Sequence, residues 1–176
     1  MADFAALISA MTQAACRGDG AATAACFTAD GVYHDCFYGS FTGAAIGDMI
    51  ENYFHRDAEN FIWDLYDPVD DGNTGYVRYV FSYDSKLAQA AGKRAVFEGV
   101  SICRLSDGLL SAYTEVAGSI AGLQQLGFED ARLGKLIARE ADALRARPEA
   151  RHHVDGCVRQ MLASSVVTFA AFGWWW

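Results

Sequence analysis

The sequence predicts an α+β domain, and three observations point there. Over most of the first sixty positions, apolar residues recur at the three- and four-residue spacing of helices. From about residue 61 to 117 the pattern changes to alternation rich in β-branched and aromatic side chains. Two turn-forming clusters, DDGN at 70–73 and SDG at 106–108, cut that second region into lengths suited to an antiparallel run of strands.

Taken in order, Phe4, Leu7, Ile8, Met11 and Ala15 mark a helix over 3–17, with Asp3 at its N-cap and RGDG at 17–20 ending it. A shorter helical piece spans 21–27 before ADG at 29–31 turns the chain into a strand, GVYHDCFYG, over 31–39. Ile46, Met49, Ile50, Tyr53 and Phe54 form the buried stripe of a helix expected over 43–60. Strands follow in FIWDLYDP, GYVRYVFSYDSK, RAVFEGVSICRL and LLSAYTEVAG. An amphipathic helix is predicted over 129–147, with Leu133, Leu136, Ile137, Ala141 and Leu144 along one side and Pro148 closing it. The expected organisation is a main domain over 1–128, a helix over 129–148 packed on it, and an apolar tail of poor order over 151–176. That tail ends in three tryptophans and has an uncharged stretch shorter than the ~20 residues of a membrane span, so it is a weak candidate for membrane contact.

At 176 residues the chain is long enough for one well-filled core, and 52% apolar with 13% aromatic residues supplies it. A net charge of −8 without a long run of one sign argues against nucleic acid or an anionic membrane surface as the main partner. The five cysteines include no CxxC pair and no histidine at ligand spacing, which suggests a reduced, cytoplasmic protein without a metal site. No phosphate-cradling glycine loop or nucleophile elbow is present, so no cofactor is indicated. The N-terminal stretch, without a basic region, reads as the first helix and not as a secretion signal.

Asp35 is the residue that demands an account. If GVYHDCFYG is one strand, Tyr33, Asp35 and Phe37 share a face, and Val32, His34, Cys36 and Tyr38 share the other. A carboxylate walled by two aromatic rings loses solvation and becomes a stronger base near neutral pH. The competing reading makes Asp35 a polar residue at a rim, bonded to a backbone N–H. His34 should point away from any pocket.

The stretches RGDGAATAACFTADGVYHDCFYGSFTGAAIGDMI, GYVRYVFSY, EGVSICRLSDGLLSAYTEV and GLQQLGF resemble the nuclear transport factor 2-like superfamily, in particular its SnoaL-like group. The resemblance covers about residues 3–128. It implies a cone: a strongly curved, mostly antiparallel sheet wrapped around the N-terminal helices, open at one end onto an apolar pocket, with the C-terminal helix added outside. It also implies a homodimer formed through the sheet face. In ketosteroid isomerases of this superfamily the general base is an aspartate on the first strand, and VYHDCFYG puts Asp35 there. The positions matching their oxyanion-holding tyrosine and acid are Met11 and Ser101 here. Polyketide cyclases of the group carry an aspartate ahead of their "QLG" motif, at a position near Gly118, with Glu115 three residues earlier. For limonene-type epoxide hydrolases, Arg78 matches the guanidinium.

The expected activity is therefore cofactor-free proton transfer on an apolar, oxygenated small molecule, as an isomerase, dehydratase or cyclase-like lyase. Asp35 would take the proton, and Tyr33, Tyr113 and Ser101 would hold the substrate oxygen. Met11, Phe37 and Trp63 would form the apolar wall, with Glu115 and Arg78 as further catalytic candidates. Arg78 could equally pair with Glu98 or Glu115 inside the sheet. The alternative is a non-catalytic domain of the same fold that binds an apolar ligand or serves as a dimeric interaction module.

Overall fold

The computed structural model describes residues 3–156. Two compact units divide between Leu133 and Gly134. In the first, helix α1 (Phe4–Arg17) starts where the Asp3 carboxylate accepts the Ala5 N–H. It ends at Gly18, whose positive φ of 73° permits the left-handed C-cap. Helix α2 (Gly20–Ala24) is capped by Asp19. Helix α3 (Ala44–Met49) passes into a π-helical turn (Ile50–Phe54) and a last turn, α4 (His55–Asp57). Helices α2 and α3 meet backbone to backbone, since a Cβ on Gly20 would lie 2.5 Å from the Gly47 carbonyl oxygen.

Six strands make one sheet: β1 (Phe27–Asp35), β2 (Gly39–Thr42), β3 (Ala58–Asp70), β4 (Thr74–Ser85), β5 (Arg94–Ser106) and β6 (Leu109–Ala117). Their order is β2-β1-β6-β5-β4-β3, with β1 parallel to β6 and every other pair antiparallel. The sheet is curved and unclosed, and its concave face packs on the helices. Phe4, Ile8, Met11 and Ala15 of α1 and Ile46, Met49 and Ile50 of the second helical segment meet Phe27, Tyr33, Val77, Cys103, Leu110 and Tyr113. A second cluster of Tyr79, Phe81 and Phe97 continues the core, with Phe54, Phe61 and Trp63 against it.

The convex face is open, with Tyr66, Tyr76, Val96, Val100 and Val116 exposed. Val116 reaches 67% exposure.

Three element boundaries differ from the sequence expectation. The first strand begins at Phe27 and ends at Asp35, because ADG at 29–31 is absorbed in a register shift against β6 between Phe27 and Val32. Cys36–Tyr38 form a turn between β1 and β2, so strand alternation stops at Asp35 and does not carry on to Phe37. The helix expected to reach residue 60 stops at Asp57, where pairing of Ala58 with Ser85 takes over. A short helix, α5 (Ser119–Gln125), also follows β6.

Helix α6 (Asp130–Ala146) begins close to the expected position, but its first turn belongs to the first unit. Leu133 is buried there and the Arg132 guanidinium lies over the Phe128 ring at 4.4 Å. The second unit holds the rest of α6, a 3₁₀ turn at Pro148–Ala150, and helical residues 151–156. Most of the predicted apolar tail lies outside the described residues. No helix among the described residues is long and apolar enough to cross a membrane.

Candidate functional site

Alternation along four strands brings a polar cluster to the concave face. Asp35 ends β1, Tyr79 lies on β4, Ser101 on β5, and Tyr113 and Glu115 on β6. Register fixes the neighbours: Tyr33 pairs with Tyr113, and Ser101 with Glu115.

Asp35 is 5% exposed. Its Oδ1 accepts the backbone N–H of Phe37 at 2.7 Å and of Tyr38 at 2.9 Å, so this carboxylate caps the β1–β2 turn. Its Oδ2 takes no hydrogen bond among the described residues. Burial raises the Asp35 pKa above the ordinary carboxylate range, against the opposing pull of the two backbone donors. The turn is itself tied down, because the Tyr38 hydroxyl donates to Asp57 at 2.8 Å and Asp57 is held by Arg56.

Glu115 is the second acid. Its Oε2 accepts the Tyr79 hydroxyl at 2.6 Å and the Tyr113 hydroxyl at 3.2 Å. The Tyr113 oxygen also lies 3.0 Å from the Ser101 hydroxyl, and the Tyr113 ring stacks on Tyr33 at 4.7 Å. Burial raises the Glu115 pKa, and the nearby Asp35 charge raises it further. Among the described residues neither carboxylate has an ion-pair partner. Burial is the main cause of the raised pKa of both acids, and the Asp35 charge adds to it at Glu115. Cys36 sits beside Glu115 and Ser119, and burial together with both carboxylates pushes its thiol far up. It is a protonated neighbour and not a nucleophile.

The structure therefore brings together Asp35, Tyr33, Tyr113, Glu115 and Ser101. Met11 is fully buried in the core cluster that also contains Tyr33 and Tyr113. Trp63 packs edge-to-face with the rings of Tyr79 and Phe81, and its buried Nε1 has no hydrogen-bond acceptor among the described residues. Phe37 takes another place than expected: it contributes a turn N–H to Asp35 and is not on strand β1.

Arg78 stands apart from the cluster. Strand alternation turns Val77 and Tyr79 inward, so Arg78 emerges on the convex face, 3.7 Å from Asp67 and 4.0 Å from Glu98, over the Tyr66 ring. With the side chain 45% exposed, its ion pairs are not buried and it does not join the concave cluster. His34 is also exposed, and its Nδ1 lies 2.9 Å from the Ser40 hydroxyl.

Tyr79 and Cys36 were not among the sequence candidates. A signal for Tyr79 existed in YVRYVFSY, where the residues flanking Arg78 must face the other way. Cys36 had none, because its position depends on where β1 stops. A cleft of about 320 Å³ lies elsewhere, between α1 and β3, lined by Ile8, Thr12, Gln13, Trp63 and Leu65 among others. Among the described residues no group of three His, Cys, Asp or Glu side chains is placed to hold a metal ion.

A curved, unclosed sheet packed on helices is the nuclear transport factor 2-like cone, a fold type that includes small-molecule enzymes. Solved structures agree on the fold. A protein of ketosteroid isomerase-like fold from Catenulispora acidiphila DSM 44928, in complex with trimethylamine, is 18% identical with a TM-score of 0.63, over 70% of this chain and 93% of that one. A protein of Xanthomonas campestris pv. campestris, provisionally assigned as a polyketide cyclase, is 21% identical with a TM-score of 0.56, over 69% and 95%. An LEH-like epoxide hydrolase of M. tuberculosis is 13% identical with a TM-score of 0.56, over 68% and 86%. No curated protein sequence matches the chain. The SnoaL-like domain model matches residues 8–113, and the chain belongs to that family.

Proposed function

We propose that this protein catalyses cofactor-free proton transfer on an apolar small molecule carrying a carbonyl or hydroxyl group. The observation that carries the reading is the pair of buried carboxylates, Asp35 and Glu115, on the concave face with no ion-pair partner among the described residues. Burial raises both pKa values, so the two can serve as a base and an acid at one face of the sheet. Asp35 Oδ2 is the base: it removes a proton from the carbon beside the oxygenated group, and the C–H electron pair moves towards that oxygen. Glu115, in its protonated form, and the Tyr113–Ser101 pair are the hydroxyl-bearing groups that meet the developing negative charge. Met11 and Trp63 belong to the apolar surroundings, while Arg78 has no part.

The test is solvent exchange. The protein is incubated in D₂O with a panel of apolar cyclic ketones, and deuterium entering beside the carbonyl is followed by NMR. Exchange above buffer, cut about 10²-fold or more in Asp35→Asn, is the expected result. Exchange untouched by that substitution overturns Asp35 as base.

One observation favours a second reading, a non-catalytic binding domain: Asp35 Oδ1 already caps the β1–β2 turn. In that case ketones raise the melting temperature of wild type and Asp35→Asn alike, and no ketone exchanges. As for partners, we propose that two copies meet through the convex face, a reading supported by its exposed Tyr76, Val96, Val100 and Val116.

A further inference from the structure

We infer that Tyr79 is the positioning residue for Glu115, admitted to that role by the missing side chain at Gly99. The three lie on three successive strands, Tyr79 on β4, Gly99 on β5 and Glu115 on β6, and Tyr79 is the register partner of Gly99. A tyrosine on β4 would ordinarily be separated from a β6 side chain by whatever stands on β5 between them. Here nothing does. A Cβ built on Gly99 would fall 2.5 Å from the Tyr79 hydroxyl oxygen and 2.7 Å from the ring carbon bearing it. Those distances are far inside van der Waals contact, and the obstruction would be the ring itself, with no flexible end to swing away. The φ of Gly99 is not positive, so backbone conformation gives no reason for a glycine there. The Tyr79 ring does, together with the Val116 carbonyl oxygen, which lies 2.8 Å from the same Cβ position.

Lying across this notch, the Tyr79 hydroxyl donates to Glu115 in a short hydrogen bond of 2.6 Å. The Tyr113 contact, at 3.2 Å and shared with Ser101, is the weaker of the two. Tyr79 is 1% exposed, and Trp63 packs edge-to-face with its ring at 5.7 Å, so the ring has little freedom. The other groups facing Glu115 are Tyr113 on its own strand, Ser101 on β5, Asp35 and Tyr33 from β1, and Cys36 from the turn. Among the described residues none of them is a cation, so the Tyr79 hydroxyl is the strongest influence opposing the burial that keeps Glu115 protonated, and it limits how far that pKa is raised. Tyr79 itself stays protonated, because burial and the adjacent Glu115 raise its pKa. Its effect on catalysis rests on the acid–base reading above; its hold on Glu115 does not.

The test needs no substrate. In protein carrying ¹³C at the glutamate side-chain carboxyls, the Glu115 resonance, assigned by its loss in Glu115→Gln, is followed against pH. Tyr79→Phe deletes one oxygen and keeps the ring, and it is expected to move the Glu115 midpoint upward by about one pH unit. Gly99→Ala is expected to move it in the same direction, and Tyr79→Phe/Gly99→Ala no further than Tyr79→Phe alone. An unmoved midpoint in Tyr79→Phe overturns the inference, as do shifts that add in the double variant. Should Gly99→Ala fail to fold, the Tyr79→Phe titration decides by itself. A shifted midpoint in a protein that exchanges no ketone leaves Tyr79 as Glu115's holder and removes the catalytic reading alone.

Discussion

The two faces of the sheet handle charge in opposite ways, although they are built from the same strands. On the convex face Arg78 reaches Asp67 and Glu98 across 3.7 and 4.0 Å, with all three side chains open to water. On the concave face Asp35 and Glu115 have no such partner among the described residues and are held by backbone N–H and hydroxyl donors, with the Cys36 thiol also at Glu115. One residue of translation along β4, from Arg78 to Tyr79, crosses from one regime to the other. An exposed ion pair is weakened by solvent and contributes little. A buried carboxylate without a counter-charge keeps a raised pKa and a reserve of reactivity. The number of charges is thus a poor guide to where chemistry lies; the solvation of each is a better one.

The sharpest way to break the contrast is Asp35→Ala, which leaves the Phe37 and Tyr38 N–H groups without their acceptor. A loss of about 2 kcal/mol in urea unfolding is expected. Asp35→Asn keeps an acceptor oxygen while removing the buried charge. It should raise the melting temperature near pH 7 by a few degrees, on the order of 1 kcal/mol.

The pH dependence follows from the same pair. Both acids have folded pKa values raised above their unfolded ones, so the native state binds more protons than the unfolded chain over that interval. Their stabilising contribution is complete below the unfolded carboxylate range of ~4 and is lost as pH rises through the folded values. Wild type should lose stability across that window, and Asp35→Asn/Glu115→Gln should lose less. Asp57 and Asp84 work in the opposite sense: their lowered pKa values give stability that disappears only in stronger acid, which keeps the two effects apart. Melting curves from pH 4 to 8 on both proteins measure the difference.

Arg78→Ala should have the smallest effect on stability, within about 0.5 kcal/mol by urea unfolding. On the convex face Val116→Lys should leave the fold intact and lower the apparent mass by light scattering if two copies meet there. An unchanged mass in a dimeric wild type would place the contact elsewhere.

Legibility in the sequence followed physical range. Periodicity is local, so the first and last helices and the four long strands could be read directly, while Asp35 as base and Ser101 beside it came from the family resemblance. The end of β1 could not, because the Asp35 carboxylate captures the next two N–H groups and turns the chain; this displaced Phe37 and brought Cys36 to the acids. Tyr79 required knowledge of cross-strand register, which fixes Gly99 as its neighbour and which no spacing within one strand reveals. Arg78 was misjudged for a simpler reason. A cation in an aromatic strand invites a buried role, whereas alternation alone assigns it to the side opposite Tyr79.

The parallel pairing of β1 with β6 has a consequence for the order of events in folding. Asp35 comes from the beginning of the domain and Glu115 from its end, and the strand that unites them is the last of the sheet to leave the ribosome. Contacts so distant along the chain form late, since closing the intervening loop costs entropy before any burial offsets it. The covering of Asp35 thus depends on strand β6, and the raised pKa of both carboxylates belongs to the paired sheet and not to either strand by itself.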